Sequence, residues 1–379
     1  MNNKKKILFF IPTLSTGGAE RVLINLTKKL VRNSNLDITV LTLFKDSEKL
    51  PNGVQYHYIF PFVFRGNVHL LKLFSATFLY KRMIAKWGHY DIVVSYLQGP
   101  TMRIVAGCKD SKTKIVNWLH AEFHSKKTLV SRFRNEREFK ELMSRYDAHV
   151  FVANSAKEAL KEWCDFIPAN KMRVIYNVND YKQIMEKADE SIEDERFNNN
   201  EFKIISVGRF TKQKSFDRLI LITSKLLKAG YSVHLYLLGK GELESAYINQ
   251  IKNLGINNKV SLLGYQSNPF KYVRYADLFV CSSLYEGFST AVTESLVVGT
   301  PVVTTMCSGM EELLGTNNEY GIITKNNTDE LYKAVEQIIS DKKMYQHYKM
   351  RALKKKDILL QTDNSKPVVN LFSELLNDI

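Results

Sequence analysis

Cysteine is scarce in this sequence, and long apolar runs are missing. The four cysteines (Cys108, Cys164, Cys281 and Cys307) are dispersed, with no pair at CxxC spacing. That excludes a zinc ribbon or a thioredoxin-like redox motif and fits reduced thiols in a cytoplasm. No stretch reaches the ~18 consecutive apolar residues of a membrane-spanning helix. Lys4, Lys5 and Lys6 before Ile7–Ile11 mimic a secretory signal. The apolar run is short, however, and continues into Gly17-Gly18-Ala19-Glu20-Arg21 without a credible cleavage site, which argues against secretion. The GxGxxG spacing of a dinucleotide fingerprint is absent, and the case for an NAD-dependent dehydrogenase goes with it. Short-period repeats and low-complexity tracts are absent too.

What is present is an ordinary folded composition: 379 residues, 45% hydrophobic and 25% charged. That length favours two domains. The formal net charge of +15 is unevenly spread. Residues 1–180 hold 29 Lys+Arg against 15 Asp+Glu, whereas the remainder is almost balanced. A polyanionic partner for the first half alone follows: nucleic acid, an anionic membrane surface or a phosphorylated substrate. A merely soluble basic surface is the plainer alternative.

Short β-branched and aromatic runs alternate with helical spacing along the chain. Seven strands are expected between Ile7 and Tyr176 and six between Phe202 and Ile323. Such βα alternation implies parallel sheets covered by helices on both faces. The polar, acidic stretch 179–200, ending in Asn198-Asn199-Asn200, reads as a linker. It would separate a first α/β domain (1–178) from a second (201–361), with a C-terminal helix at about 362–379. Ligands of doubly wound sheets bind at the carboxyl ends of the strands, and the candidate residues cluster there.

Val207-Gly208-Arg209 and Lys214 follow the first strand of the second domain. Gly208 permits a sharp turn, and the two cations suit a phosphate pair. The run from Ser283 through Glu286-Gly287-Phe288-Ser289-Thr290 to Glu294 leads from a strand into a helix. Free amides at that helix start form a ready anion site. Ser283-x-x-Glu286 formally matches a capping box, but Gly287 directly after it argues against a helix beginning there. In the first domain, Gly17 and Gly18 join strand one to helix one and allow close backbone approach. His120 stands at the carboxyl end of the strand Lys114–Trp118. A packing role is the commoner fate of such a residue.

Together these pieces resemble the retaining GT-B glycosyltransferases of family 4, particularly bacterial enzymes that build surface polysaccharides. The resemblance rests on Gly17-Gly18-Ala19-Glu20-Arg21-Val22, on Arg209 with Lys214, and on Glu286-Gly287-Phe288 to Glu294 ending in Gly299-Thr300-Pro301. It implies two Rossmann-like doubly wound domains facing each other across a cleft. The first would bind the acceptor and the second a nucleotide-sugar. By the same resemblance, Arg209 and Lys214 neutralise the donor diphosphate, Glu294 binds the ribose and Glu286 contacts the transferred sugar. The Phe288, Ser289 and Thr290 amides meet the donor, Gly17 and Gly18 lie opposite the diphosphate, and His120 stands beside the donor sugar. Ser289 and Thr290 replace the Gly and Leu or Val of many members, which bears on sugar preference.

The resemblance further implies a UDP-sugar donor, with GDP-sugar second, and a lipid-linked or oligosaccharide acceptor. No cofactor and no metal are expected, and no Asp-x-Asp motif of the metal-dependent GT-A type is present. Lipid-linked saccharides sit at an anionic leaflet, so the basic first domain is expected to associate peripherally with the inner face of the cell membrane. Phe60–Trp87 and Phe123–Arg145, which interleave apolar residues with Lys and Arg, are the candidate surfaces. A GT-B nucleotide-sugar epimerase is one rival. A basic nucleic-acid-binding protein is another, although no recognition motif supports nucleic acid as a partner.

Overall fold

The computed structural model describes residues 4–15, 17–63, 67–120 and 125–377. The chain divides into two compact units, residues 1–179 with 363–379 and residues 180–362.

The first unit is built on seven parallel strands: β1 (Lys5–Ile11), β2 (Leu36–Phe44), β3 (Val54–Phe60), β4 (Ile92–Tyr96), β5 (Lys114–Leu119), β6 (Ala148–Phe151) and β7 (Met172–Val174). Their order is β3-β2-β1-β4-β5-β6-β7. All five residues of β4 are buried, as expected for a sheet covered on both faces. The order reverses between β1 and β4, the switch point where loops diverge and leave room for a ligand.

The second unit has six parallel strands: β8 (Phe202–Val207), β9 (Val233–Leu238), β10 (Val260–Gly264), β11 (Leu278–Cys281), β12 (Val302–Thr305) and β13 (Ile322–Thr324). They run β10-β9-β8-β11-β12-β13, so the switch point lies between β8 and β11. Successive residues alternate between two cores. Ile204 belongs to one and Ile205 to the other, which seals both faces.

The stretch read as a linker contains the helix Tyr181–Ala188, capped by the Asp180 carboxylate, which accepts from the Gln183 amide at 3.2 Å. Tyr181, Ile184 and Ala188 recur at helical spacing and are buried in the second unit's core together with Phe197. The acidic residues around them obscure that apolar stripe in the sequence. The C-terminal helix Lys366–Asn377 belongs to the first unit. Val368, Leu371 and Phe372 are buried, and the Phe372 ring lies 6.2 Å from that of Phe9 on β1. Burial contributes about 1.5–3 kcal/mol per large apolar side chain, enough to fix this helix in place.

His149 on β6 is fully buried, and its tautomer follows from its partners. Nε2 faces the Met143 carbonyl at 3.1 Å and must donate, so Nδ1 accepts from the Asn117 side-chain amide at 3.2 Å. Burial lowers its pKa from 6.5 to about 3, and His120 shares that value for the same reason. Unfolding lets both rings take up a proton once the pH falls below about 6.5, whereas the folded unit resists until about 3. The stability they confer is therefore present above 6.5 and is lost as pH falls, at up to about 1.4 kcal/mol per pH unit for each ring. Trp87, Trp118 and Trp163 all lie in the first unit, so tryptophan fluorescence reports that unit alone. The urea midpoint so measured is expected to fall from pH 7 to pH 5, and more shallowly in His149→Gln. Equal slopes in the two proteins would contradict the assignment.

Candidate active site

At the second unit's switch point, the loops after β8 and β11 bring together residues far apart in sequence. Lys214 Nζ donates to Glu286 Oε1 at 2.5 Å, and Ser283 Oγ donates to the same oxygen at 2.7 Å. Both side chains are largely withdrawn from solvent, at 19% exposure for Lys214 and 8% for Glu286. Among the described residues, Glu286 Oε2 has no hydrogen-bond partner. Burial is the largest single influence and would lower the Lys214 pKa, but the charge and hydrogen bond of Glu286, together with Cys281, hold the ammonium above its ordinary value. Arg209 is exposed on the same loop, close enough for its charge to oppose that of Lys214.

Gly208 serves a different purpose from the one its sequence suggests. It is not among the left-handed glycines. Instead, a Cβ there would stand 3.2 Å from the Lys214 Cγ, Cδ and Cε atoms, so its bare backbone gives the lysine stem room to lie across the loop. The chain then turns at Ser215, in the left-handed region at φ 47°. Ser282, just past β11, secures this turn by donating to the Lys214 and Ser215 carbonyls at 2.8 and 3.0 Å.

Ser283 and Glu286 are joined side chain to side chain, so they do not form a capping box. The helix begins later, at Thr290, with Ser289 as its cap: Ser289 Oγ accepts from the Val292 amide. The amides of the preceding first-turn residues point out of the helix start, as geometry requires. Phe288 is half-buried beside Gly309, where a Cβ would meet its ring at 2.9 Å. Glu294 lies in this helix, half-buried.

In the first unit, Gly17 caps the helix Gly18–Leu30. Its open side is taken by the Glu20 carboxylate, whose Oε2 lies 1.9 Å from where a Cβ would stand. Close approach is therefore real, but the group that uses it belongs to the protein itself. Leu14 and Ser15 donate their amides to Asp46 Oδ2, each at 2.9 Å. His120 follows β5 and packs against Tyr96 at 4.4 Å between ring centroids. Its backbone amide donates to the Gln98 side chain at 2.9 Å, next to Leu97 at the rare φ of 115°. The ring is neutral at physiological pH, and Nε2 is buried with no partner among the described residues. Residues 121–124 lie outside the described residues.

Comparison with known proteins decides the family. Residues 16–182 match the model described as Glycosyltransferase Family 4, and residues 187–355 match Glycosyl transferases group 1. The chain belongs to the glycosyltransferases. It is 29% identical over 367 residues to the Campylobacter jejuni N-acetylgalactosamine-N,N'-diacetylbacillosaminyl-diphospho-undecaprenol 4-alpha-N-acetylgalactosaminyltransferase, covering 92% of this chain and 94% of that one. A second C. jejuni enzyme, the GalNAc-alpha-(1->4)-GalNAc-alpha-(1->3)-diNAcBac-PP-undecaprenol alpha-1,4-N-acetyl-D-galactosaminyltransferase, is 23% identical over 340 residues, 89% of each chain. The crystal structure of Anabaena HepE in complex with UDP and glucose aligns with 99% of this chain and 100% of that one, with a TM-score of 0.75 and 19% identity. The fold is GT-B.

The enzyme's loops are held by residues that carry no motif. Asn326, after β13, donates from Nδ2 to the carbonyls of Ser283, Leu284 and Met306 at 3.3, 2.9 and 3.2 Å. Its own Oδ1 accepts from Arg218 Nη1 at 2.7 Å. One amide thus ties the Glu286 loop to the loop after β12. The available signal was its place just beyond a strand's carboxyl end.

Lys214→Met would leave Glu286 nearly buried without its cation, which is expected to destabilise the enzyme by about 3 kcal/mol. Adding Glu286→Gln should recover most of that loss in urea titrations followed by circular dichroism. Additive losses would show that the two side chains do not depend on each other.

Proposed function

We propose that this enzyme transfers a hexose or N-acetylhexosamine from a UDP-sugar to a lipid-linked saccharide, with retention of anomeric configuration, in the assembly of a bacterial surface polysaccharide. The observation that carries this reading is the Glu286 carboxylate. It is oriented through Oε1 by Lys214 and Ser283, with Oε2 available to a sugar hydroxyl. Support for the acceptor comes from the two C. jejuni relatives, whose names specify diphospho-undecaprenol and PP-undecaprenol saccharides. Support for the donor comes from HepE, whose structures hold UDP and UDP-glucose. A GDP-sugar is the second choice.

In this reaction the bond from the anomeric carbon to the β-phosphate oxygen breaks, and a bond from that carbon to the acceptor oxygen forms. The acceptor's proton passes to the departing diphosphate on the same face. Negative charge grows on the diphosphate, and Arg209, Lys214 and the helix start at Ser289–Thr290 are the groups of this unit suited to stabilise it. Two cations can do what a divalent ion does elsewhere, so we propose that no metal takes part. Glu294 serves the ribose. Glu286 holds the sugar through its hydroxyls, and with Glu294 assigned to the ribose the pair of carboxylates that a double displacement uses is not available. The acceptor's lipid places the reaction at the inner face of the cell membrane.

The test combines labelled nucleotide-sugars with polyprenyl-diphosphate saccharides and reads the product linkage by NMR. A retained α configuration, activity unchanged by EDTA, and a loss of about a hundredfold or more in Arg209→Ala are expected, the scale of losing a charged group that acts in the transition state. Loss of activity in EDTA would overturn the metal-free mechanism. Conversion of the donor sugar without any acceptor would favour an epimerase, and a covalent sugar on Glu286 would replace the same-face route.

A further inference from the structure

We propose that the corner formed by the helices Asn67–Leu73 and Ala76–Met83 of the first unit seats the enzyme on an anionic lipid bilayer by inserting apolar side chains. Of the two segments that interleave apolar and basic residues, the later one turns its apolar side chains inward: Phe133, Phe139, Leu142 and Met143 are buried. The earlier one does the opposite. Leu70, Leu73, Phe74 and Phe78 are exposed, Leu73 to 73%, and Phe62 and Val63 just ahead of them are exposed to 68% and 67%. Phe74 and Phe78 stack at 5.4 Å on each other, in contact with solvent. An apolar cluster of this kind on a protein surface marks an interaction site.

Its support is rigid. The four carbonyls at the end of the first helix each receive an arginine donor. Arg103 reaches those of Leu71 and Phe74 at 3.1 and 2.8 Å, and Arg134 those of Lys72 and Leu73 at 2.5 and 2.8 Å. Glu138 links the two arginines, accepting from the Arg103 guanidinium at 2.8 Å and from the Arg134 backbone amide at 2.7 Å. Arg103 is 3% exposed, so a buried ion pair fixes a corner whose apolar side chains face outward.

Charge identifies the occupant. Between Glu48 and Asp91 the sequence contains no acidic residue, while Lys72, Lys81, Arg82 and Lys86 lie within the segment. Lys81 and Arg82 follow Phe78 at three- and four-residue spacing on one helix, so cations and an aromatic ring share a face. That combination suits a negatively charged interface with an apolar layer beneath it. A second copy of the chain is the poorer occupant, because a two-fold contact would oppose two patches of the same sign. The proposal draws its purpose from the lipid-linked acceptor above, but its test needs neither donor nor acceptor.

The full chain is floated with phosphatidylcholine vesicles, with and without phosphatidylglycerol, at low salt. The wild-type enzyme is expected to float with the anionic vesicles only. The variant Leu73→Ser/Phe74→Ser/Phe78→Ser is expected to partition about a hundredfold less, given the free energy of burying side chains of this size. Leu73→Ser alone, at the most exposed of the three positions, should lose an intermediate amount, and tryptophan fluorescence checks that the unit remains folded. Three results would overturn the proposal: a wild type that stays unbound, a triple variant that floats equally well, or a wild-type dimer that the triple variant converts to monomer.

Discussion

One ion pair organises the second unit's site. Lys214 and Glu286 arrive from loops after neighbouring strands at the point where the sheet order reverses, and each makes the other tolerable away from water. A largely buried carboxylate is costly without a partner, and a lysine in the same place would shed its proton. Joined, they stay charged and fixed. Gly208, which makes room for the lysine stem, and Ser282, which secures the turn after it, follow from that requirement. So does Asn326, which ties down the loop bearing Glu286.

The same logic gives the pair its chemistry. On the proposed reading, the diphosphate meets an ammonium that Glu286 already holds in place. The first unit solves its own switch point differently. There the polar groups are a carboxylate satisfied by amides, Asp46, and an imidazole kept neutral by burial, His120. A neutral ring with an unpartnered nitrogen suits hydrogen bonding to hydroxyls better than neutralising phosphate. Part of this half's positive charge, Lys72, Lys81, Arg82 and Lys86, lies in the acid-free segment that carries the apolar corner.

The strands were legible in the sequence because β-branched and aromatic runs bounded by turn residues are a local signal. Every expected strand is present, with ends shifted by a residue or two. The loops that carry the site were legible for the same reason, since they directly follow strands of a doubly wound sheet. The Lys214–Glu286 contact was not, because 72 residues separate the partners and only the sheet order brings them together. The helix Tyr181–Ala188 was hidden by its acidic surroundings. Asn326 and Arg103 act by bonding carbonyls, and hydrogen bonds to backbone leave no mark in residue type. Which of two amphipathic segments faces outward also depends on tertiary packing.

The most direct test of the central claim is a calorimetric titration of UDP and of uridine into the wild type and Lys214→Met. If Lys214 serves the diphosphate, the substitution should weaken UDP binding about tenfold to a hundredfold, the worth of a hydrogen bond to a charged group, and leave uridine unaffected. Equal weakening of both ligands would mean that the lysine only supports the loop. Unchanged UDP affinity would contradict the claim that this ion pair is the core of the donor site.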